Sequence, residues 1–257
     1  MDKYKKAILR CKKHRLEILK LSQKVQALHI GGSFSSVEIV DCIYNMIMNK
    51  QDKFILSKGH AGIIQYVILY SLGVLKRSEL NSYCQINGSL GVHPDYGIKG
   101  IETSTGSLGH GLGVSAGMAT ASKNKRFFVV MSDGELQEGS VWESALIIGS
   151  LKLSNIIVIV DNNDLQSSTR ATDTHPNLYP IDKKFKEFGW ETANCNGHKT
   201  KEIYTKILNR KTNKPFALIA KTIKGYPVSF MKNVPMWHYR SPNNEEYLQA
   251  TNEINNK

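Results

Sequence analysis

The apolar residues of this chain fall into two kinds of pattern. The runs Arg126–Met131 and Asn155–Val160 are short, rich in β-branched and aromatic residues, and do not alternate with polar ones. Strands covered on both faces in a parallel sheet read this way. Trp190–Cys195 and Pro215–Lys221 are further strand candidates, with a helical stretch near 201–210 between them. Elsewhere the helical period appears. Ser35-Ser36-Val37-Glu38 has the form of a capping box and predicts a helix to about Asn49, and Ala61–Leu72 predicts another that stops at Gly73. Helical length, from about Glu138 to Lys152, also separates the first two strands. Strands alternating with helices predict an α/β fold, a doubly wound and mostly parallel sheet flanked by helices. A helix is expected within 1–28 and a flexible tail over the Asn-rich 245–257. No repeat or low-complexity linker divides the chain, so 1–257 reads as one domain.

A strand–helix–strand unit of this size makes a right-handed crossover, so both strands end at the same edge of the sheet. The first ends in Ser132-Asp133-Gly134-Glu135 and the second in Asp161-Asn162-Asn163-Asp164, and Asp133 and Asn163 are 163 − 133 = 30 residues apart. That edge is where open α/β sheets bind ligands. An Asp and an Asn suit Mg²⁺, which takes about six oxygens at roughly 2.0–2.1 Å and shares its shell with substrate phosphates. Gly134 would let a diphosphate approach the backbone and donate its N–H to it. The same residues also fit two polar strand ends that turn into solvent. An isolated DG and a distant NN are too common to decide between the two.

Composition narrows the classes. The chain has 257 residues, 41% hydrophobic and 22% charged, which suits one large α/β domain or two small ones. Its longest mostly apolar run, Ile63–Leu75, is interrupted by Gln65, Ser71 and Gly73 and falls short of the roughly 18 residues of a membrane span. The first residues lack the apolar core of a secretory signal. Cysteines 11, 42, 84 and 195 form no C-x-x-C pair and read as reduced thiols, which points to the cytoplasm. A net charge of +12 raises nucleic acid or a phosphorylated ligand as partners. Much of the excess, however, sits in residues 3–24 (Lys3, Lys5, Lys6, Arg10, Lys12, Lys13, Arg15, Lys20, Lys24). There Tyr4, Ile8, Cys11, Leu16 and Leu19 recur at helical spacing and leave a solvated basic face. With no aromatic interleaving and no nucleic-acid motif, neither nucleic acid nor a membrane is an expected partner. Gly111–Ala116 matches G-x-G-x-x-A, but no apolar strand precedes it, and no G-x-x-x-x-G-K-[ST] occurs.

Beyond the two strand ends, SDGELQEGSVWESA followed by NIIVIVDNND resembles the thiamine-diphosphate motif, GDG with NN about thirty residues later, in its transketolase version. HIGGSFSSVEI (29–39), LSKGHAG (56–62), GVHPD (91–95), TGSLGHGLGVSAGMA (105–119), FGWE (188–191), GH (197–198), KTIKGYPVSFM (221–231) and WH (237–238) follow the order of the transketolase cofactor domain. The likeness covers nearly the whole chain. It implies thiamine diphosphate and Mg²⁺ as cofactors, with Ca²⁺ or Mn²⁺ as substitutes. It also implies transfer of a two-carbon ketol unit from a ketose, often phosphorylated, to an aldose, with the cofactor carrying the difficult step. By resemblance, Asp133, Asn163 and the Leu165 carbonyl hold the metal. Gly134 and Glu135 line the phosphate pocket, His60 meets the diphosphate, and Gly106, Ser107 and Leu108 support the thiazolium ring. His29, His93 and His238 would meet substrate oxygens, where imidazole can pass protons. For His110 a polar structural contact is expected.

The resemblance stops near residue 250, and full-length transketolases are far longer. The domain that contacts the aminopyrimidine ring and the sugar phosphate is missing. The chain thus resembles the N-terminal subunit of a split transketolase, and a heterotetramer with a C-terminal subunit is implied. Ser132 replaces the first Gly of GDG, a change that fits a backbone without positive φ. Tyr239-Arg240 stands where short-form transketolases have a small residue and Lys, which hints at a specialised sugar. Competing readings are a 1-deoxyxylulose-5-phosphate synthase fragment, the α chain of a 2-oxoacid dehydrogenase, and a non-catalytic scaffold. His29-Ile-Gly-Gly and the KTIKG…WH segment favour transketolase over the first two, and the intact metal ligands and histidines argue against the last.

Overall fold

The structure, a computed structural model, describes residues 2–167, 169–211 and 213–257. Among these, seven strands occur in chain order: β1 (Lys53–Leu56), β2 (Phe127–Ser132), β3 (Ile156–Asn162), β4 (Leu165–Gln166), β5 (Thr169–Arg170), β6 (Glu191–Asn196) and β7 (Phe216–Lys221). Five form one parallel sheet in the order β1-β2-β3-β7-β6, and β4 pairs antiparallel with β5 as a small ribbon beside it. The helix Gly139–Ser150 connects β2 to its parallel neighbour β3.

Alternation of side chains across the sheet makes two cores. Phe128, Val130, Ile157, Ile159, Phe216 and Leu218 face the helices Lys3–Ser22, Gly62–Ser71 and Thr200–Leu208. Phe127, Val129, Met131, Ile156, Val158 and Val160 face the helices His110–Ala121, Gly139–Ser150 and Ile181–Glu187. Both faces are thus covered, which is why the strands are continuous apolar runs.

The four expected strands are all present. Several elements were not read from the sequence, among them β1, the helices His110–Ala121 and Ile181–Glu187, and the ribbon β4–β5. β1 is only four residues long, and the helix His110–Ala121 has small residues all round and no clear apolar stripe. Three expectations need correction. The capping box expected over Ser35–Glu38 does not form, although a helix does start at Val37: the chain is already helical over Ile30–Ser35, breaks at Ser36, whose side chain makes no cap bond, and resumes over Val37–Cys42 into a π-helical turn, Ile43–Ile47. The Ser36 hydroxyl instead donates back to the Gly32 carbonyl at 2.9 Å, and Glu38 is buried against Arg15 rather than serving a cap. Arg15 therefore does not belong to the exposed basic face; its guanidinium donates to both Glu38 oxygens at 2.6 and 2.7 Å. Residues 245–257 are not a loose tail, because Asn244–Asn255 is a helix with a complete capping box at Asn243 and Glu246, and Ala250 and Ile254 are buried.

In-register pairing of Ser132 with Asp161 and of Asn162 with Lys221 levels the ends of β2, β3 and β7. At this edge lies a fully buried ion pair. Lys58, just after β1, donates to Asp161 Oδ2 at 2.5 Å and to the Gly32 carbonyl at 2.9 Å. Asp161 also accepts from the Ser35 hydroxyl at 2.6 Å and from the Thr222 hydroxyl. Although burial alone would raise it, Lys58 and these donors hold the Asp161 carboxyl below the ordinary range. Removing one partner would leave an unpaired buried charge. Asp161→Asn is expected to cost about 3 kcal/mol or more, to be read from the urea midpoint at neutral pH; a loss below about 1 kcal/mol would show that the pair is not what joins these strand ends.

Candidate cofactor and substrate site

The turn after β2 is built around its own acids. Asp133 is buried, and its Oδ1 accepts the Gly134 N–H at 2.9 Å while Oδ2 accepts the Asp164 N–H at 2.5 Å. The second bond joins the ends of β2 and β3. Asp164 sits at φ +64, a left-handed conformation that Asp tolerates, and turns the chain so that Asn163 and Leu165 face the same cavity as Asp133's neighbour Gly134. Asn163 Oδ1 accepts the Leu165 N–H at 3.1 Å. Burial, with Asp161 adding to it, pushes the Asp133 carboxyl up to about 7. A buried acid held this far from its ordinary range is one that a cation would return to the charged form. Among the described residues no group of three or more His, Cys, Asp or Glu can hold a metal unaided. The donor set is one carboxylate, one amide oxygen and one main-chain carbonyl. It fits a hard cation such as Mg²⁺ only if ligand oxygens complete the shell.

Ser132 has no positive φ, so the side chain is tolerated there, and its hydroxyl accepts the Glu135 N–H at 3.2 Å. Glu135 departs from the expectation that it lines the phosphate pocket. It is fully buried, its Oε1 accepts from the Ser57 hydroxyl and from the Gly109 N–H at 3.0 Å, and its Oε2 accepts the Ser132 N–H at 3.3 Å. With both oxygens occupied, it clamps the ends of β1 and β2 to the start of the helix His110–Ala121. Gly134 does line the cavity, but its N–H is given to Asp133 and is not free for a phosphate. What the glycine provides is space: a Cβ there would stand 2.9 Å from Cβ of Gln166.

The cavity at this edge has a volume of about 340 Å³. Its walls include His29, His60, His93, His238, Gly106, Leu108, Asn163 and Leu165, so the sequence-predicted residues converge. Ser107 is exposed and is not among the lining residues, and His110 is exposed at the start of its helix. Gly106 has φ +137, and a Cβ there would stand 2.9 Å from the His93 ring; only glycine brings the main chain this close.

Three imidazoles pack together, with ring centroids at 5.0 Å for His29 and His238, 5.3 Å for His29 and His60, and 5.9 Å for His60 and His238. Burial, and after it His93, Lys224 and Lys58, holds His29 down to about 4. Burial and then Lys224 hold His238 down to about 3, and burial with Lys58 lowers His60. All three rings are therefore neutral near pH 7. His29 Nδ1 is buried and has no hydrogen-bond partner.

Sequence reasoning missed two lysines that line the same cavity, Lys58 and Lys224. Lys224 donates to His238 Nδ1 at 2.9 Å and to the Leu165 carbonyl at 3.3 Å, which leaves the other His238 nitrogen to carry the proton. Burial, then Lys58, lowers Lys224 to about 8. Both lie inside quoted motifs, LSKGHAG and KTIKG, but a lysine among 34 basic residues carries no signal of burial.

Comparison with known proteins identifies the family. Residues 15–254 match the family described as transketolase, thiamine diphosphate binding domain. One subunit of the apulose-4-phosphate transketolase of Phocaeicola vulgatus is 33% identical over 264 residues, covering 97% of this chain and 94% of that protein. Mouse transketolase is 37% identical over 193 residues, covering 73% of this chain but 30% of its own length. The solved transketolase of Leishmania mexicana superposes with a TM-score of 0.90 over 99% of this chain and 42% of that one; at 19% identity this supports the fold alone. These matches favour transketolase over the synthase and dehydrogenase readings. The chain belongs to the transketolase family, as its thiamine-diphosphate-binding domain.

Proposed function

We propose that this chain is the N-terminal subunit of a two-chain transketolase that moves a two-carbon ketol unit from a ketose or ketose phosphate to an aldose or aldose phosphate. A separate C-terminal subunit completes the site, in a heterotetramer with two copies of each chain. The observation that carries this reading is the convergence of His29, His60 and His238 in one cavity with the strand-end residues Asn163 and Leu165, with Nδ1 of His29 left unpartnered. The match over 94% of the relative from Phocaeicola vulgatus, which is named as a subunit, adds to it. That bacterial relative is named for apulose 4-phosphate, and a specialised sugar is proposed here on the strength of that likeness and of Tyr239-Arg240. Four free cysteines fit a reducing compartment, the cytoplasm.

The residues divide the work as follows. The Asp133 carboxylate, Asn163 Oδ1 and the Leu165 carbonyl would hold Mg²⁺, or Ca²⁺ or Mn²⁺ in its place, and the metal would neutralise the charge of a diphosphate. The Lys58 and Lys224 charges, with His60, make the floor of the cavity favourable for an anion. The main chain at Gly106 and Leu108 supports the ring system. Bound thiamine diphosphate supplies the thiazolium carbon on which a two-carbon unit can be carried. His29, His93 and His238 hold the hydroxyl and carbonyl oxygens of the sugars. A neutral imidazole can accept a proton from a hydroxyl at one nitrogen or donate one from the other; in His238 the Lys224 bond occupies the accepting nitrogen and leaves the Nε2 N–H to donate to a sugar oxygen.

The direct test is to purify the chain from its host with any bound partner and assay ketol transfer with Mg²⁺ and thiamine diphosphate. Absence of both partner and transfer would sink the reading. Asp133→Ala is expected to weaken cofactor binding by at least about 100-fold in calorimetry, with the far-ultraviolet dichroism kept. A pH effect follows from the neutral rings. His29 has a folded value near 4 against an ordinary value of 6.5, so the unfolded chain binds more protons in that window. Its neutral burial is therefore without penalty above pH 6.5 and costs stability as the pH falls toward 4. His29→Asn should flatten the decline of unfolding free energy between pH 6.5 and 4; an unchanged slope would show that the ring protonates freely in the fold.

A further inference from the structure

Tyr239 and Arg240 enter the roles above only as a sequence departure and have been given no contact with cofactor or sugar. Arg240 is engaged outside the cavity: its Nη2 donates to both Glu246 oxygens at 2.7 Å, and its guanidinium lies 4.3 Å from the centroid of the Trp237 ring. Its main-chain N–H donates to the Leu28 carbonyl at 3.1 Å, in a short parallel bridge that sets Arg240 beside His29. Glu246 is in turn fixed by the capping box, in which its Oε2 accepts the Asn243 N–H and its own N–H donates to Asn243 Oδ1, both at 2.9 Å. The helix that follows is anchored in the core through Ala250 and Ile254. The segment 238–240 is thus held by the chain before His29 on one side and by the last helix on the other.

Between these anchors the Tyr239 ring packs 4.6 Å from the His29 ring, centroid to centroid. His29 lines the cavity; Tyr239 is not among the lining residues, but its ring is 53% exposed and packs on His29, which makes it a solvent-facing neighbour of that wall. Arg240 is already paired and is not left to bind a sugar phosphate. An aromatic face, by contrast, offers apolar contact to the C–H faces of a sugar. Resting on the transketolase reading, we propose that Tyr239 is a specificity-determining residue that contacts the part of a sugar beyond its reacting carbons, and that Arg240 and Glu246 are positioning residues that hold its ring on His29.

The test compares glycolaldehyde with ribose 5-phosphate as acceptors for the reconstituted two-chain enzyme. Tyr239→Ala should change the ratio of kcat/KM for the larger over the smaller acceptor by about tenfold, and Tyr239→Phe should keep it within about twofold. Arg240→Ala should move the ratio in the same direction, and Arg240→Ala combined with Tyr239→Ala should go no further than Tyr239→Ala alone. Glu246→Gln keeps the capping bond but removes the charge, which separates loss of the pair from fraying of the helix; it should behave like Arg240→Ala. An unchanged ratio in Tyr239→Ala, or fully additive effects, overturns the proposal. If the unaltered enzyme transfers no ketol unit from any donor, the transketolase reading fails by itself. The positioning is then decided by the His29 ring signals in the NMR spectrum of the full chain. Arg240→Ala must displace them as Tyr239→Ala does, and signals that stay in place overturn it.

Discussion

The buried pair of Lys58 and Asp161 is the constraint on which the rest depends. Two charges in a nearly water-free interior are tolerable only when their remaining hydrogen-bonding capacity is also met. Here Gly32, Ser35 and Thr222 meet it, drawn from the short helix beside His29 and from the segment after β7. One interaction therefore fixes the end of β1, the end of β3, the segment after β7 and that short helix. Those four pieces form one part of the cavity wall, which the loop carrying His93, Gly106 and Leu108 and the turn after β2 complete.

The charges around the cavity are unbalanced. Lys58 and Lys224 face a set of imidazoles that they, together with burial, keep neutral. Asp133, buried at the same edge, is pushed up by burial and by Asp161. A ligand that brings a dianionic diphosphate together with a divalent cation would answer both, because the anion would meet the lysines and the cation the acid. The same reasoning accounts for two acids that sit in the motifs but do not serve the ligand. Glu135 gives all its capacity to Ser57, Gly109 and Ser132, and Glu38 is held down to about 2 by Arg15 and His198. They hold the walls of the cavity in place.

The sequence by itself determined the architecture and the address of the site. Short β-branched, non-alternating runs read as strands covered on both faces, and parallel strands joined by a helix end at one edge, so Asp133 and Asn163 were legible as neighbours from 30 residues apart. The ordered motifs added His29, His60, His93 and His238, which do meet in one cavity. Tertiary structure alone decided which polar groups are spent on the fold. Glu135 and Gly134 look like ligand groups in a motif, yet the acid is consumed by Ser57 and Gly109, which lie far away in sequence, and the glycine N–H by the side chain of its own neighbour Asp133. Lys58 and Arg15 look like surface charges until partners at 161 and 38 close over them. The last helix reads as a polar tail because only Ala250 and Ile254 of it enter the core. Hydrophobic period is a local property and can be read along the chain, whereas hydrogen-bond satisfaction of a buried group is a property of whichever residues the fold brings to it.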